Sequence, residues 1–155
     1  MNKRLLALIL SLFLSLALLI SGCGGSREYD VAAIAEGLLK EVSFSGELSP
    51  AEGDALANLY ALNDSVAEYA IYYDASAFSA QEVAVLKADS ASDAEALREI
   101  LETRIENLRF MFENYNPGEM QKLESPVIDV RDNIAVMVIS DDPEAADKAA
   151  ALLAG

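Results

Sequence analysis

The sequence predicts an α+β domain: a four-stranded, mostly antiparallel sheet with helices packed mainly on one face, in the order α-α-β-β-α-β-β-α. Three observations predict it. Leu97, Leu101, Ile105, Leu108, Phe112 and Tyr115 recur at steps of three and four, the period of a helix with one buried face. Residues 66–74 switch to the alternation of a strand. Asp132-Asn133 separates two apolar runs in the manner of a hairpin turn. Helices laid on one face of the sheet is the most economical packing of such a series.

A segment set apart from this domain precedes it. Met1 to Gly22 holds no acidic residue, and Lys3 and Arg4 lead into an almost unbroken apolar run from Leu5 to Ile20. A charged start and a short apolar stretch read as an export signal over residues 1–22, not as a spanning helix. Ile20-Ser21-Gly22-Cys23 resembles a bacterial lipobox, with small residues before the cleaved bond and a thiol to accept diacylglycerol. That resemblance implies cleavage between Gly22 and Cys23 and a lipid anchor on Cys23. Residues 23–29 then form the lipidated end and a Gly/Ser tether, and 30–155 a single extracytoplasmic domain. The other readings of Cys23 are a buried cysteine in a retained anchor and a catalytic thiol. The second lacks a base, since the chain has no histidine, and a rigid setting, since Gly24-Gly25-Ser26 follows.

Beyond Cys23 stand all 26 acidic residues against nine basic ones, a formal net charge of −17. Such a surface repels phosphate backbones and anionic headgroups, which argues against nucleic-acid binding and against a helix lying on the membrane.

The elements follow in order. Asp30 caps a helix to about Glu41, with Ile34, Leu38 and Val42 on one side. Ser49-Pro50-Ala51-Glu52 reads as a capping box with proline at the first helical position. It starts a helix offering Leu56, Leu59, Tyr60 and Leu62 to a core and ending at a left-handed Asn63. In 66–74 Ala67, Tyr69, Ile71 and Tyr73 share a face, and Glu82 to Ala88 forms a second strand, joined to the first as a hairpin. Ser92-Asp93-Ala94-Glu95 is a further capping box, opening the long helix that Asn116-Pro117-Gly118 ends. Residues 127–131 and 134–140 flank Asp132-Asn133; the run Ile134–Ile139 is that of a strand covered on both faces, by a helix or by a second subunit. Asp142-Pro143 starts an alanine-rich last helix.

Absent histidine excludes a His-based triad and nearly every zinc or blue-copper arrangement, and no glycine-rich phosphate loop is present. No cofactor is expected. Asp141, Asp142 and Glu144 could approach a hard cation such as calcium, but their spacing matches no EF-hand, and no metal ligand is assigned. If helices cover the face of residues 69, 71 and 73, Tyr72 stands with Glu68 and Asp74 on the open side. There it could meet a partner or glycan, or be a half-exposed strand tyrosine with no task. Lys87 and Arg131 add charge to the same sheet or neutralise carboxylates on neighbouring strands.

From Ala80 to Arg104, "AQEVAVLKADSASDAEALREILETR" resembles the DUF4358 domain of small Firmicutes lipoproteins. The resemblance rests on Glu82-Val83-Ala84-Val85, Lys87-Ala88, Asp93-Ala94 and Arg104, and extends over roughly residues 28–153. It implies a fold and an envelope location but no activity. Arg104, a charge on the long helix, pairs with a strand or loop carboxylate or faces a ligand. These readings converge on a non-catalytic binding module, lipid-anchored on the outer face of a Gram-positive cytoplasmic membrane, with an envelope protein or wall component as partner. The alternative is a small carboxylate-dependent hydrolase, which requires a pocket with two inward acids of shifted pKa.

Overall fold

The computed structural model describes residues 27–155; the export signal, Gly22, Cys23 and the Gly24-Gly25-Ser26 segment lie outside the described residues. The chain runs through helix α1 (Val31–Glu41), strand β1 (Ser49–Pro50), α2 (Gly53–Leu59), β2 (Glu68–Tyr73), β3 (Glu82–Lys87), α3 (Ala94–Tyr115), α4 (Met120–Glu124), β4 (Val127–Arg131), β5 (Ile134–Ile139) and α5 (Ala145–Ala154). The strands form one antiparallel sheet in the order β1-β2-β3-β5-β4. The α+β class holds, with five strands where the sequence predicts four.

The helices do not gather on one face, and this is the larger correction. The central strands β3 and β5 are apolar at both parities, so either face left open would put valines or leucines in water. Ala84, Leu86, Ala135, Met137 and Ile139 pack beneath α3, against Leu97, Leu101, Leu108 and Phe112. On the other face Val83, Val85, Val136 and Val138 pack beneath α1 and α5, against Leu38, Ala149 and Leu153. The second cover over Ile134–Ile139 is therefore helical. Asp30 caps α1 as expected, its carboxylate accepting from the Ala33 N–H at 3.0 Å. At Gly37 α1 meets α5 so closely that a Cβ would stand 2.7 Å from Leu152 Cδ2.

The fifth strand comes from the stretch that reads as a helix start. Ser49 and Pro50 pair with Tyr73 and Tyr72, and the Ala51 N–H donates to the Ile71 carbonyl at 2.9 Å. Proline is tolerated because β1 is an edge strand and Pro50, one step from the bonded Ala51–Ile71 position, would have turned its N–H outward. Gly53, at φ +52°, then turns the chain into α2, where Glu52 takes the cap position without a side-chain bond. Asn63 ends no helix: α2 stops at Leu59, and Asn63 accepts the Ser65 N–H in a turn. Nor does Ser92 cap α3; a 3₁₀ turn over Ala91–Asp93 precedes it, and the Ser92 hydroxyl lies against that of Ser90. Tyr115, assigned to the core by periodicity, is 58% exposed and stacks on Phe78.

Candidate functional site

The apolar layer between α3 and the sheet holds one charged cluster. Arg104 sits on α3 within the stripe of Leu101 and Leu108, and Glu82 opens β3 on the face of Ala84 and Leu86. Arg104 Nε donates to Glu82 Oε1 and Oε2 at 3.0 and 3.2 Å, and Nη2 donates to Oε2 at 2.6 Å. The Tyr60 hydroxyl, at the end of α2, donates to Glu82 Oε1. Arg104 Cζ stands 5.5 Å from the centre of the Tyr60 ring. All three residues are buried, Glu82 to 1% exposure.

Their acidities follow from that setting. Burial pushes the Tyr60 phenol well above its ordinary value of 10.0, and the charge and hydrogen bond of Glu82 push the same way. Burial works against the Arg104 charge, but the hydrogen bonds and charge of Glu82 outweigh it and hold the guanidinium above its usual value. Tyr60 therefore stays a neutral donor and Arg104 stays charged. Tyr60 and Arg104 also line a groove of about 250 Å³ with Leu59, Ile100, Thr103 and Asn107, so this cluster closes one wall of a surface depression of mixed polarity.

Arg104 thus takes a carboxylate partner, one of its two anticipated roles. Tyr72 is not on an open face. It packs, half-buried, on the α1 side with Ala70, because α1 covers the face that a one-sided arrangement would leave bare. Glu68 and Lys87, directly opposite on β2 and β3, form a 2.8 Å ion pair. Lys87 so neutralises a carboxylate on the neighbouring strand, and the Glu68 hydrogen bond raises its pKa. Asp74 organises the loop after β2, accepting from Ser76 N at 2.8 Å and Ser79 N at 2.8 Å. Burial pushes its carboxyl up, yet these bonds prevail and hold it below its usual value. Arg131 pairs with Asp129 of its own strand at 2.8 Å. The structure therefore does not bring the five predicted residues together: Arg104 lies in the α3 layer, Asp74 at one end of β2, and Glu68 with Lys87 at the other.

A second cleft, of about 470 Å³, lies between α4 and the start of α5 and holds Lys122, Glu124, Asp141 and Asp142. Lys122 bridges Glu119 and Asp141 at 2.8 and 3.3 Å. Asp142 is drawn down to about 2, first by its hydrogen bond from Lys148 and then by the N–H groups of Ser43 and Glu144. Asp74, Glu119 and Asp142 are the described carboxyls with shifted acidity, and all three are shifted down. A general acid needs the opposite shift. Among the described residues no group of three or more carboxylate, cysteine or histidine side chains is arranged to hold a metal ion.

A third groove, also of about 470 Å³, runs along the outer edge of β2 between Tyr69–Tyr72 and Pro50–Gly53. Periodicity alone missed Glu82 and this edge. The signal for the first is present: Arg104 falls three residues after Leu101 and four before Leu108, so an inward charge requires an inward acid, and Glu82 is the charge on the matching face of β3.

Two comparisons with known proteins find nothing: no curated protein and no solved structure matches the chain. A third finds a family. The model of DUF4358, a domain of unknown function, matches residues 40–140. Those residues hold β1 to β5 and all of the Tyr60–Glu82–Arg104 cluster, but not most of α1 or any of α5.

Proposed function

The chain belongs to the DUF4358 family, and we propose that it is a non-catalytic binding module of the cell envelope, held on the outer face of the cytoplasmic membrane of a Gram-positive cell through a lipid on Cys23. The observation that carries this reading is the docking of Arg27 and Tyr29. Arg27 donates to the Ala154 carbonyl at the end of α5, and the Tyr29 hydroxyl donates to Asp132 Oδ2 at 2.9 Å in the β4–β5 turn. The fold is thus gripped four residues after Cys23. Four extended residues reach at most about 14 Å. A lipid on Cys23 would hold a folded domain close to the bilayer with the Asp132 pole inward. No helix among the described residues is long and apolar enough to cross a membrane. Asp74, Glu119 and Asp142 are shifted down, the opposite of what a general acid requires, which supports binding over hydrolysis at those three carboxyls.

Mass spectrometry of the full chain recovered from a Gram-positive host tests the anchor. The expected product lacks residues 1–22 and carries a diacylglycerol thioether on Cys23, while Cys23→Ala stays unprocessed. A cleaved product with a free Cys23 thiol would overturn the anchoring. Crosslinking in intact cells tests the binding role: wild type crosslinked no more than an anchored unrelated domain would sink it.

A further inference from the structure

Arg104 does not spend all its donors on Glu82. Nε and Nη2 take the two carboxylate oxygens, while Nη1 makes no hydrogen bond to any described residue. Nor is Nη1 sealed in the core: among the described residues, Asn133 Oδ1 is the one buried side-chain polar atom left without a partner. Nη1 therefore reaches the groove of about 250 Å³ that Arg104 lines between α3 and the chain leaving α2. Arg104 as a whole is 7% exposed. A guanidinium held by the fold and more than nine-tenths buried thus shows its free donors to a surface groove, where an acceptor gains a charge-assisted hydrogen bond.

We propose that this groove holds one ring of a neutral, hydroxyl-rich sugar, with an oxygen of that ring or its substituent on Arg104 Nη1. Charge selects a neutral ligand. Glu82 already balances the Arg104 charge, Glu99 lines the groove, and the formal charge of −17 beyond Cys23 repels an anion. A cation would have to approach the guanidinium. Hydrogen-bonding character selects hydroxyls. Glu99, Thr103 and Asn107 follow at steps of four along α3, and Asn63 lines the groove from beyond α2; all four are exposed. Arg104 only donates, Glu99 only accepts, and Asn63, Thr103 and Asn107 do both, so the ligand must offer donors and acceptors around a small body. A sugar ring does so, and its C–H face can lie on Leu59 and Ile100. The volume falls just below the range of about 300–1,000 Å³ for sites of drug-sized ligands, which suits one ring. An extended peptide is a poorer occupant. One wall is the middle of α3, whose main-chain groups are bonded within the helix, and no strand residue lines the groove. This proposal rests on the reading of the domain as a binding module and names its ligand by chemistry.

The test follows the amide spectrum of the full chain, in a detergent without a sugar headgroup, on titration with N-acetylglucosamine. That probe is neutral and joins ring hydroxyls to an amide carbonyl. Expected are saturable shifts at Thr103, the Arg104 Nε–H and the side-chain amides of Asn63 and Asn107. Glucuronate, the anionic counterpart, should bind at least about ten-fold more weakly. N-acetylglycine methylamide, which offers amides without a ring, should move none of these signals. Asn107→Ala, at an exposed helix position, should weaken binding about five-fold, the size of one hydrogen bond. Thr103→Trp fills the groove and should abolish binding with the remaining spectrum in place. No saturable shift at millimolar sugar, equal binding of glucuronate or of the blocked glycine, shifts centred on another surface, or unaltered binding by both variants would overturn the proposal. Crosslinking in cells reads the binding role of the whole domain, and this titration reads one groove in purified protein. A domain that crosslinks above background but takes no sugar therefore loses this proposal alone.

Discussion

The Arg104 guanidinium grips both oxygens of the Glu82 carboxylate, with Nη2 2.6 Å from Oε2, and neither residue has appreciable contact with bulk water. Taking two charges out of water costs several kcal/mol per ion, and mutual attraction with hydrogen bonds recovers this only when the geometry is good. The pair is therefore better understood as a register device than as a source of net stability. It fixes one turn of α3 over the first residue of β3, and Tyr60 ties the end of α2 to the same oxygen.

That account predicts a large asymmetry between single and double substitutions. Glu82→Gln leaves a buried guanidinium without a countercharge and should lower unfolding stability by about 3–5 kcal/mol. Replacing both residues with leucine should restore stability to within about 1–2 kcal/mol of wild type, because an apolar pair suits that layer. Urea unfolding of the three proteins measures this. A single substitution costing less than about 1 kcal/mol would mean the pair is solvated.

How much of this was legible depended on period and on side-chain type. The strands around Ile71 and Ile134, the α3 stripe and the Asp132 turn were legible because apolar spacing reports a buried face directly. The second helical layer was half-legible: Ile134–Ile139 demanded two covers, but nothing in that run said that α1 and α5 supply one. Pro50 misled because Ser-Pro-Ala-Glu satisfies the rules of a helix start and of an edge strand alike. Pairing with Tyr72 and Tyr73, far away in sequence, decided between them. Tyr72 is illegible for the same reason, since its exposure depends on a layer that local pattern does not encode. Arg104 stands out in the sequence as an odd charge on an apolar stripe, but its partner Glu82 is identifiable only when both faces of β3 are known.

The second layer carries its own prediction at Gly37. A glycine inside a helix costs about 0.5–1 kcal/mol relative to alanine, so its presence calls for a reason. The reason is Leu152, whose Cδ2 would stand 2.7 Å from an added Cβ. Gly37→Ala should be close to neutral, the helical gain offsetting a small shift of the leucine tip. Gly37→Val adds branching at the crossing of α1 and α5 and should destabilise by about 1–3 kcal/mol. Thermal unfolding of both variants distinguishes this from a one-layer arrangement, in which neither substitution would meet α5.

Asp142 sets the acid side of the stability profile. Its Oδ2 accepts from the Ser43 N–H at 2.8 Å and from Lys148 Nζ at 2.7 Å, and its Oδ1 accepts from the Glu144 N–H at 2.9 Å. One carboxylate thereby joins the exit of α1 to the entry of α5. These bonds hold the folded pKa at about 2, against 3.8 for the free side chain. Above 3.8 the group is ionised in both states, and its contribution is fully present. As pH falls from 3.8 toward about 2 the unfolded chain takes up the proton first, and the contribution is lost. Asp142→Asn should therefore be less stable than wild type at neutral pH and should show a shallower fall between pH 4 and pH 2. Urea midpoints across that range measure both. Parallel acid limbs for the two proteins would place the acid sensitivity in other carboxylates, Glu119 and Asp74 first among them.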